Sequence, residues 1–121
     1  MSSPAALPTA FAVSTSIGAD VFVYTVRSEF PDAATRARYL DWLCGGHAAA
    51  LVSEGGALRA EVSELDDGAV EARYLFASRE AFDAYEAGPA TALRADGAAK
   101  FPPSAGIRTS RAHGLVHDIV T

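Results

Sequence analysis

Residues 21–27, VFVYTVR, carry β-branched or aromatic side chains at nearly every position, so both faces of the segment are apolar. That pattern predicts a central strand covered on two sides. Pro31-Asp32 opens a helix with Asp32 as N-cap; it runs to about Ser53 and stops at Gly55-Gly56, with Gly45-Gly46 weakening its middle. In ALRAEVSEL, residues 57–65, Leu58, Ala60 and Val62 alternate with Arg59, Glu61 and Ser63, as in an edge strand with one buried face. Asp66-Asp67-Gly68 signals a hairpin turn, and VEARYLFAS, residues 70–78, returns as a strand that becomes apolar on both faces from Tyr74 onward. Ser78 caps a second helix, with Glu80 near its start and Phe82, Tyr85, Pro89 and Leu93 on one face. Gly88-Pro89 breaks or kinks this helix, which ends near Phe101-Pro102-Pro103. A last strand covers about 106–119 and contains Ile107, Arg111, His113, Val116 and Ile119.

The order β-α-β-β-α-β predicts an α+β, ferredoxin-like fold: a four-stranded antiparallel sheet in the order 4-1-3-2 with two helices on one face. This order puts the two strands that read apolar on both faces in the centre and the more polar pair at the edges. Two helices cover only one face of the sheet. Either Val21, Val23 and Thr25 or Phe22, Tyr24 and Val26 then need another cover. A second copy of the same sheet supplies it economically, as a two-fold homodimer with a closed, barrel-like interior.

Along the first helix Ala33, Ala37, Leu40, Cys44, His47 and Leu51 recur at spacings of 4, 3, 4, 3 and 4. At about 100° per residue they fall within roughly 80° of arc, a face expected to pack on a core. His47 is the titratable ring on that face, and it must find a partner or line a pocket. Tyr39, Trp42, Leu43, Gly46, Ala49 and Ala50 form a second patch, opposite or flanking the first. A large aromatic such as Trp42 on an outer face is a partner contact, a lid over a pocket mouth, or a singly exposed ring.

The length of 121 residues allows one domain, residues 21–121, with a core of its own. The net charge is −5 and the ten Lys and Arg are scattered, so neither nucleic acid nor an anionic membrane is an expected partner. No apolar run approaches the ~20 residues that span a bilayer. Cys44 is the only cysteine, which excludes a disulfide framework and suits a reducing cytoplasm. On the core stripe it reads as a small inert hydrophobe rather than a nucleophile. Residues 1–20 are rich in Ala, Ser, Thr and Pro and have no Lys or Arg, unlike a signal peptide. They read as a flexible tail or an arm laid on a partner.

Three segments carry a resemblance: VFVYTVR, DWLCGGHAAALVSEGG followed by a strand, and YEAGPATALRADGAAKFP. On these the chain resembles the dimeric α+β barrel superfamily and, within it, a small uncharacterised bacterial family, over about residues 21–119. That family's pattern has an acidic residue and a histidine before a hydrophobic helix end. Here His47 matches the histidine and Gly46 replaces the acid, removing one candidate orienter of the imidazole. Arg94 and Phe101 fall on the family's LRA and KFP segments. The wider superfamily includes cofactor-free monooxygenases, muconolactone-type isomerases, polyketide cyclases, haem-degrading enzymes and stress-response proteins, among which fold does not choose.

His47 is the candidate general base of a pocket between the first helix and the sheet; the competing reading is a satisfied core histidine. Tyr24 and Tyr74 sit on the central strands and are candidate catalytic partners, or plain core aromatics. Trp42, Tyr85, Arg94 and Phe101 are candidate ligand contacts, and Arg94 with Arg59 or Lys100 would suit a substrate carboxylate, unless it belongs to a solvated charged face. His113 and His117 share a strand face, but no third ligand accompanies them, so no metal is expected. Nor does any glycine pattern form a phosphate cradle, and no cofactor is expected. Three functions compete: a cofactor-independent enzyme of monooxygenase, isomerase or cyclase type on an aromatic or polyketide-like molecule; a non-catalytic ligand-binding or stress-related dimer; and a purely structural or interaction protein. A mostly apolar cavity of at least ~300 Å³ beside His47 favours the first two.

Overall fold

In the computed structural model, which describes Asp20–Thr121, the chain begins with β1 (Phe22–Glu29) and α1 (Ala33–Trp42). A π-helical turn (Leu43–His47) joins α1 to α2 (Ala48–Ser53). Then follow β2 (Arg59–Glu64), β3 (Val70–Phe76), α3 (Arg79–Ala87), α4 (Pro89–Lys100), a 3-10 turn (Pro103–Ala105) and β4 (Arg108–Leu115). The tail assigned to residues 1–20 lies, Asp20 aside, outside the described residues. The sheet order is β2-β3-β1-β4 with every pair antiparallel, which is the ferredoxin-like order expected from the pattern. No helix among the described residues is long and apolar enough to cross a membrane.

Both helix caps form as their sequences predict. The Thr35 amide donates to Asp32 Oδ1 at 2.7 Å, and the Ala81 amide donates to Ser78 Oγ at 3.1 Å. Each such cap stabilises its helix by ~1 kcal/mol. Pro89 has no amide hydrogen to continue α3, so α3 ends at Ala87 and α4 starts afresh.

The strand register settles which face the helices cover. Phe22, Tyr24 and Val26 lie opposite Phe76, Tyr74 and Ala72, and these residues face Phe82, Tyr85 and Leu93 of α3 and α4 and Leu43 and Leu51 of the first helical run. Burial of each large aromatic or leucine here contributes ~1.5–3 kcal/mol. Val23, Thr25 and Arg27 point to the other face, beside Leu75 and Arg73. β1 extends past its apolar run because Ser28 is buried and bonded on the helix side, donating to the Tyr39 hydroxyl at 3.1 Å. β4 is shorter than expected: it ends at Leu115, the Val116 amide donates a last bond to the Val21 carbonyl at 2.9 Å, and His117 and Ile119 lie beyond it. Leu58 precedes β2 rather than alternating within it, and is 56% exposed.

The first helix does not keep the phase that its spacing predicts. Ala33, Ala37 and Cys44 are exposed, and Leu40 and His47 are half-buried. The buried positions are Thr35, Leu43, Ala48 and Leu51, with Tyr39 and Trp42 packed against them. Two causes act together. Tyr39, Trp42 and Leu43 offer far more apolar area than the alanines, so α1 turns that patch inward. The π turn then adds a residue: the Ala48 amide bonds the Leu43 carbonyl five positions back, with Gly46 at φ 156°. His47 and Leu51 thus join Trp42 and Leu43 on one side.

Candidate functional site

Between the helical layer and the sheet lies a cavity of about 390 Å³. β1 and β3 place Tyr24 and Tyr74 on its floor; α1 and the π turn place Trp42 and His47 at one wall. α3 and α4 add Tyr85, Leu93 and Arg94, and the chain leaving α4 closes it with Phe101. All seven residues singled out as candidates, namely His47, Tyr24, Tyr74, Trp42, Tyr85, Arg94 and Phe101, therefore line one space.

Trp42 is not an outer-face ring. Its indole stacks on the His47 imidazole with centroids 4.0 Å apart and planes 24° from parallel. Tyr39 and Phe101 pack against it at 5.4 and 5.6 Å. A Cβ on Gly97 would meet the indole at 3.1 Å, so the bare backbone of α4 makes room for this ring. Trp42 Nε1 donates to Asp96 Oδ2 at 3.4 Å. Beyond the Trp42–His47 stack a second, more open crevice of about 420 Å³ holds Gly45, Gly46, Glu54 and Asp96, so the stacked pair is a wall shared by both spaces.

The His47 Nδ1 atom is buried and has no hydrogen-bond partner among the described residues. Burial pushes the imidazole below its ordinary pKa of 6.5, a shift only partly opposed by the negative charge of Asp96. The ring is therefore neutral near pH 7 and able to take a proton. No acid adjoins it in sequence, but α4 supplies Asp96 across the crevice. Tyr24 and Tyr74 stack at 5.8 Å. Burial pushes the Tyr85 hydroxyl up to about 12 and raises Tyr74 also, so both keep their protons and serve as hydrogen-bond donors rather than bases.

Two guanidinium groups converge on the Tyr24 hydroxyl. Arg94 Nη2 and Arg111 Nε each donate to it at 3.1 Å. Arg94 also pairs with Glu86, and these contacts outweigh its desolvation and hold its pKa above the ordinary arginine value. The partner of Arg94 is thus Arg111, not Arg59 or Lys100: Arg59 pairs with Glu61 on the opposite sheet face, and Lys100 is exposed at the end of α4. Arg111 escaped the sequence reading because an edge strand of polar residues reads as solvated on both sides. Its register opposite Val26 is what turns it inward. His113 packs its ring 4.9 Å from Phe82, and His117 lies past β4, so the two histidines do not share a strand face.

No protein-family profile matches the chain, and no curated protein does. Several solved structures share its fold. A monooxygenase of Streptomyces coelicolor from the gene ActVA-Orf6, solved with nanaomycin D, is 20% identical over 84% of this chain and 92% of that one, with a TM-score of 0.65. A dimeric ferredoxin-like protein from an uncultured marine organism is 18% identical over 84% and 99%, with a TM-score of 0.62. SnoaB of Streptomyces nogalater, a cofactor-independent oxygenase, is 18% identical over 84% and 98%, with a TM-score of 0.60. At such identities the likeness is one of fold: the chain is an α+β protein with the ferredoxin-like fold.

Proposed function

We propose that the chain is a small cofactor-independent monooxygenase acting on a phenolic, polyketide-like aromatic. The observation that carries this reading is the 390 Å³ cavity, lined together by His47, whose buried Nδ1 has no partner among the described residues, and by Tyr74 and Tyr85. Its size lies in the range of small-molecule sites, ~300–1,000 Å³. The names of two fold neighbours, a monooxygenase and a cofactor-independent oxygenase, point the same way.

In this reading the aromatic ring lies among Trp42, Tyr85 and Phe101. His47 accepts the proton of a ring hydroxyl, and Tyr74 and Tyr85 donate hydrogen bonds to the oxygen that becomes negative. The electron-rich ring then reduces dioxygen, and a carbon–oxygen bond forms at an activated CH2 centre. The O–O bond breaks with loss of water, so CH2 and O2 become C=O and H2O. Leu43, Leu51 and Leu93 keep bulk water away from that step.

Dioxygen uptake with an anthrone such as dithranol tests the reading. The expected result is quinone formation well above the spontaneous rate, falling by at least about 10²-fold in His47→Ala. Dithranol bound with no acceleration would overturn it and leave a ligand-binding protein.

The open sheet face supports a homodimer. Val23, Thr25 and Leu75 are only half-covered in one chain, and a second sheet laid on them would close the barrel. One fold neighbour is named as dimeric.

A further inference from the structure

We propose that the molecule this pocket takes carries a carboxylate, held by Arg94 and Arg111 together. The proposal rests on the pocket being a small-molecule site and adds the chemical class of its ligand. The chain as a whole has a net charge of −5. The cavity reverses that sign: its charged lining residues, among those described, are Arg94 and Arg111, with no Asp or Glu. Glu86 already pairs with Arg94 from outside the lining, whereas Arg111 makes no ion pair among the described residues, so the cavity keeps a net demand for an anion.

The two groups are also under-used. Both donate to one neutral acceptor, the Tyr24 hydroxyl, at 3.1 Å. Arg94 reaches Glu86 and Tyr24 through the same nitrogen, Nη2, while its Nε is buried with no partner among the described residues. A buried guanidinium N–H left unmade is an exception that calls for a partner. A carboxylate brings two oxygens in the plane that a guanidinium fork matches, with stronger, charge-assisted hydrogen bonds than a hydroxyl gives. Tyr24 then acts as the spacer that holds the two cations a fixed distance apart until the ligand arrives.

Calorimetric titration with a matched pair of probes, 2-naphthol and 6-hydroxy-2-naphthoate, tests this without turnover. The carboxylate is expected to bind at least about tenfold more tightly. Arg94→Gln and Arg111→Gln should each shrink the ratio of the two affinities, with circular dichroism showing that the variants are folded; an unchanged ratio in both would overturn the proposal. Equal affinities, or no binding of either probe, would overturn the proposal. A carboxylate preference without dithranol oxidation would sink the monooxygenase reading alone; oxidation without the preference would sink only this one.

Discussion

At the scale of single residues, His47 separates function from packing. Its Nδ1 makes no hydrogen bond among the described residues, so the ring contributes little that an apolar ring would not. His47→Phe should keep or raise the melting temperature, since it removes a buried unsatisfied group that costs ~1–3 kcal/mol. A large drop in thermal denaturation would instead make the imidazole a structural group. The pH dependence has a definite sign. Burial lowers the folded pKa below 6.5, so the unfolded chain binds the proton first. Stability should fall as pH drops below 6.5 and level off beneath the folded pKa; urea melts of the wild type and His47→Phe isolate this part of the slope. Asp96 opposes the shift, so Asp96→Asn should lower the His47 pKa further, as an NMR titration of the ring protons would read. A value unmoved by that substitution would show that the crevice carboxylate does not act on the ring. His47 was legible as a candidate because a titratable ring among apolar helix positions is anomalous by itself, although the stripe that singled it out is not the face the helix buries. Arg111 was not, because only pairing with β1 gives its side chain a direction.

At the scale of elements, the helix from Ala33 to Ser53 decides the shape of the site. Its start, its cap and its end follow from local chemistry and stand where the sequence puts them. Its inward face does not, because a one-residue π insertion changes the phase and leaves no hydrophobic signature. The dipeptide Gly45-Gly46 is the trace it does leave. Gly46 takes φ 156°, a value side chains rarely adopt, whereas a Cβ on Gly45 meets nothing within 4 Å. Gly46→Ala should therefore cost ~1–3 kcal/mol. Gly45→Ala should be neutral or stabilise by up to ~1 kcal/mol. Chemical denaturation of the two variants checks the contrast, and equal effects would mean that the π turn is not held by Gly46. Across the site, Gly97→Ala should displace the indole that stacks on His47. Trp42 is the only tryptophan, so its fluorescence reports that displacement directly.

At the scale of the whole molecule, the topology was legible because strand order follows from burial: strands apolar on both faces go to the centre. The open face carries the remaining expectation. Arg27 pairs with Asp67 at 2.8 Å, and Arg59 with Glu61, leaving Val23, Thr25 and Leu75 as the apolar patch among these ion pairs. Val23→Glu should split the proposed dimer into folded monomers, since it puts a charge where the two sheets would meet and touches nothing under the helices. Light scattering on both proteins decides it. A wild-type monomer at micromolar concentration would remove the second sheet from the account.

The sequence by itself determined the element order, the caps, the helix break at Gly88-Pro89 and the sheet order, because each depends on neighbours in the chain or on burial averaged along a segment. It also marked seven candidate residues, of which His47 and Arg94 are of types costly to bury without a partner. Only the tertiary structure decided that these seven share one cavity, that Trp42 turns inward onto His47, and that Arg111 joins Arg94 at Tyr24. Those outcomes rest on a one-residue change of helical phase and on the register between strands nearly ninety positions apart, neither of which local hydrophobic patterning encodes.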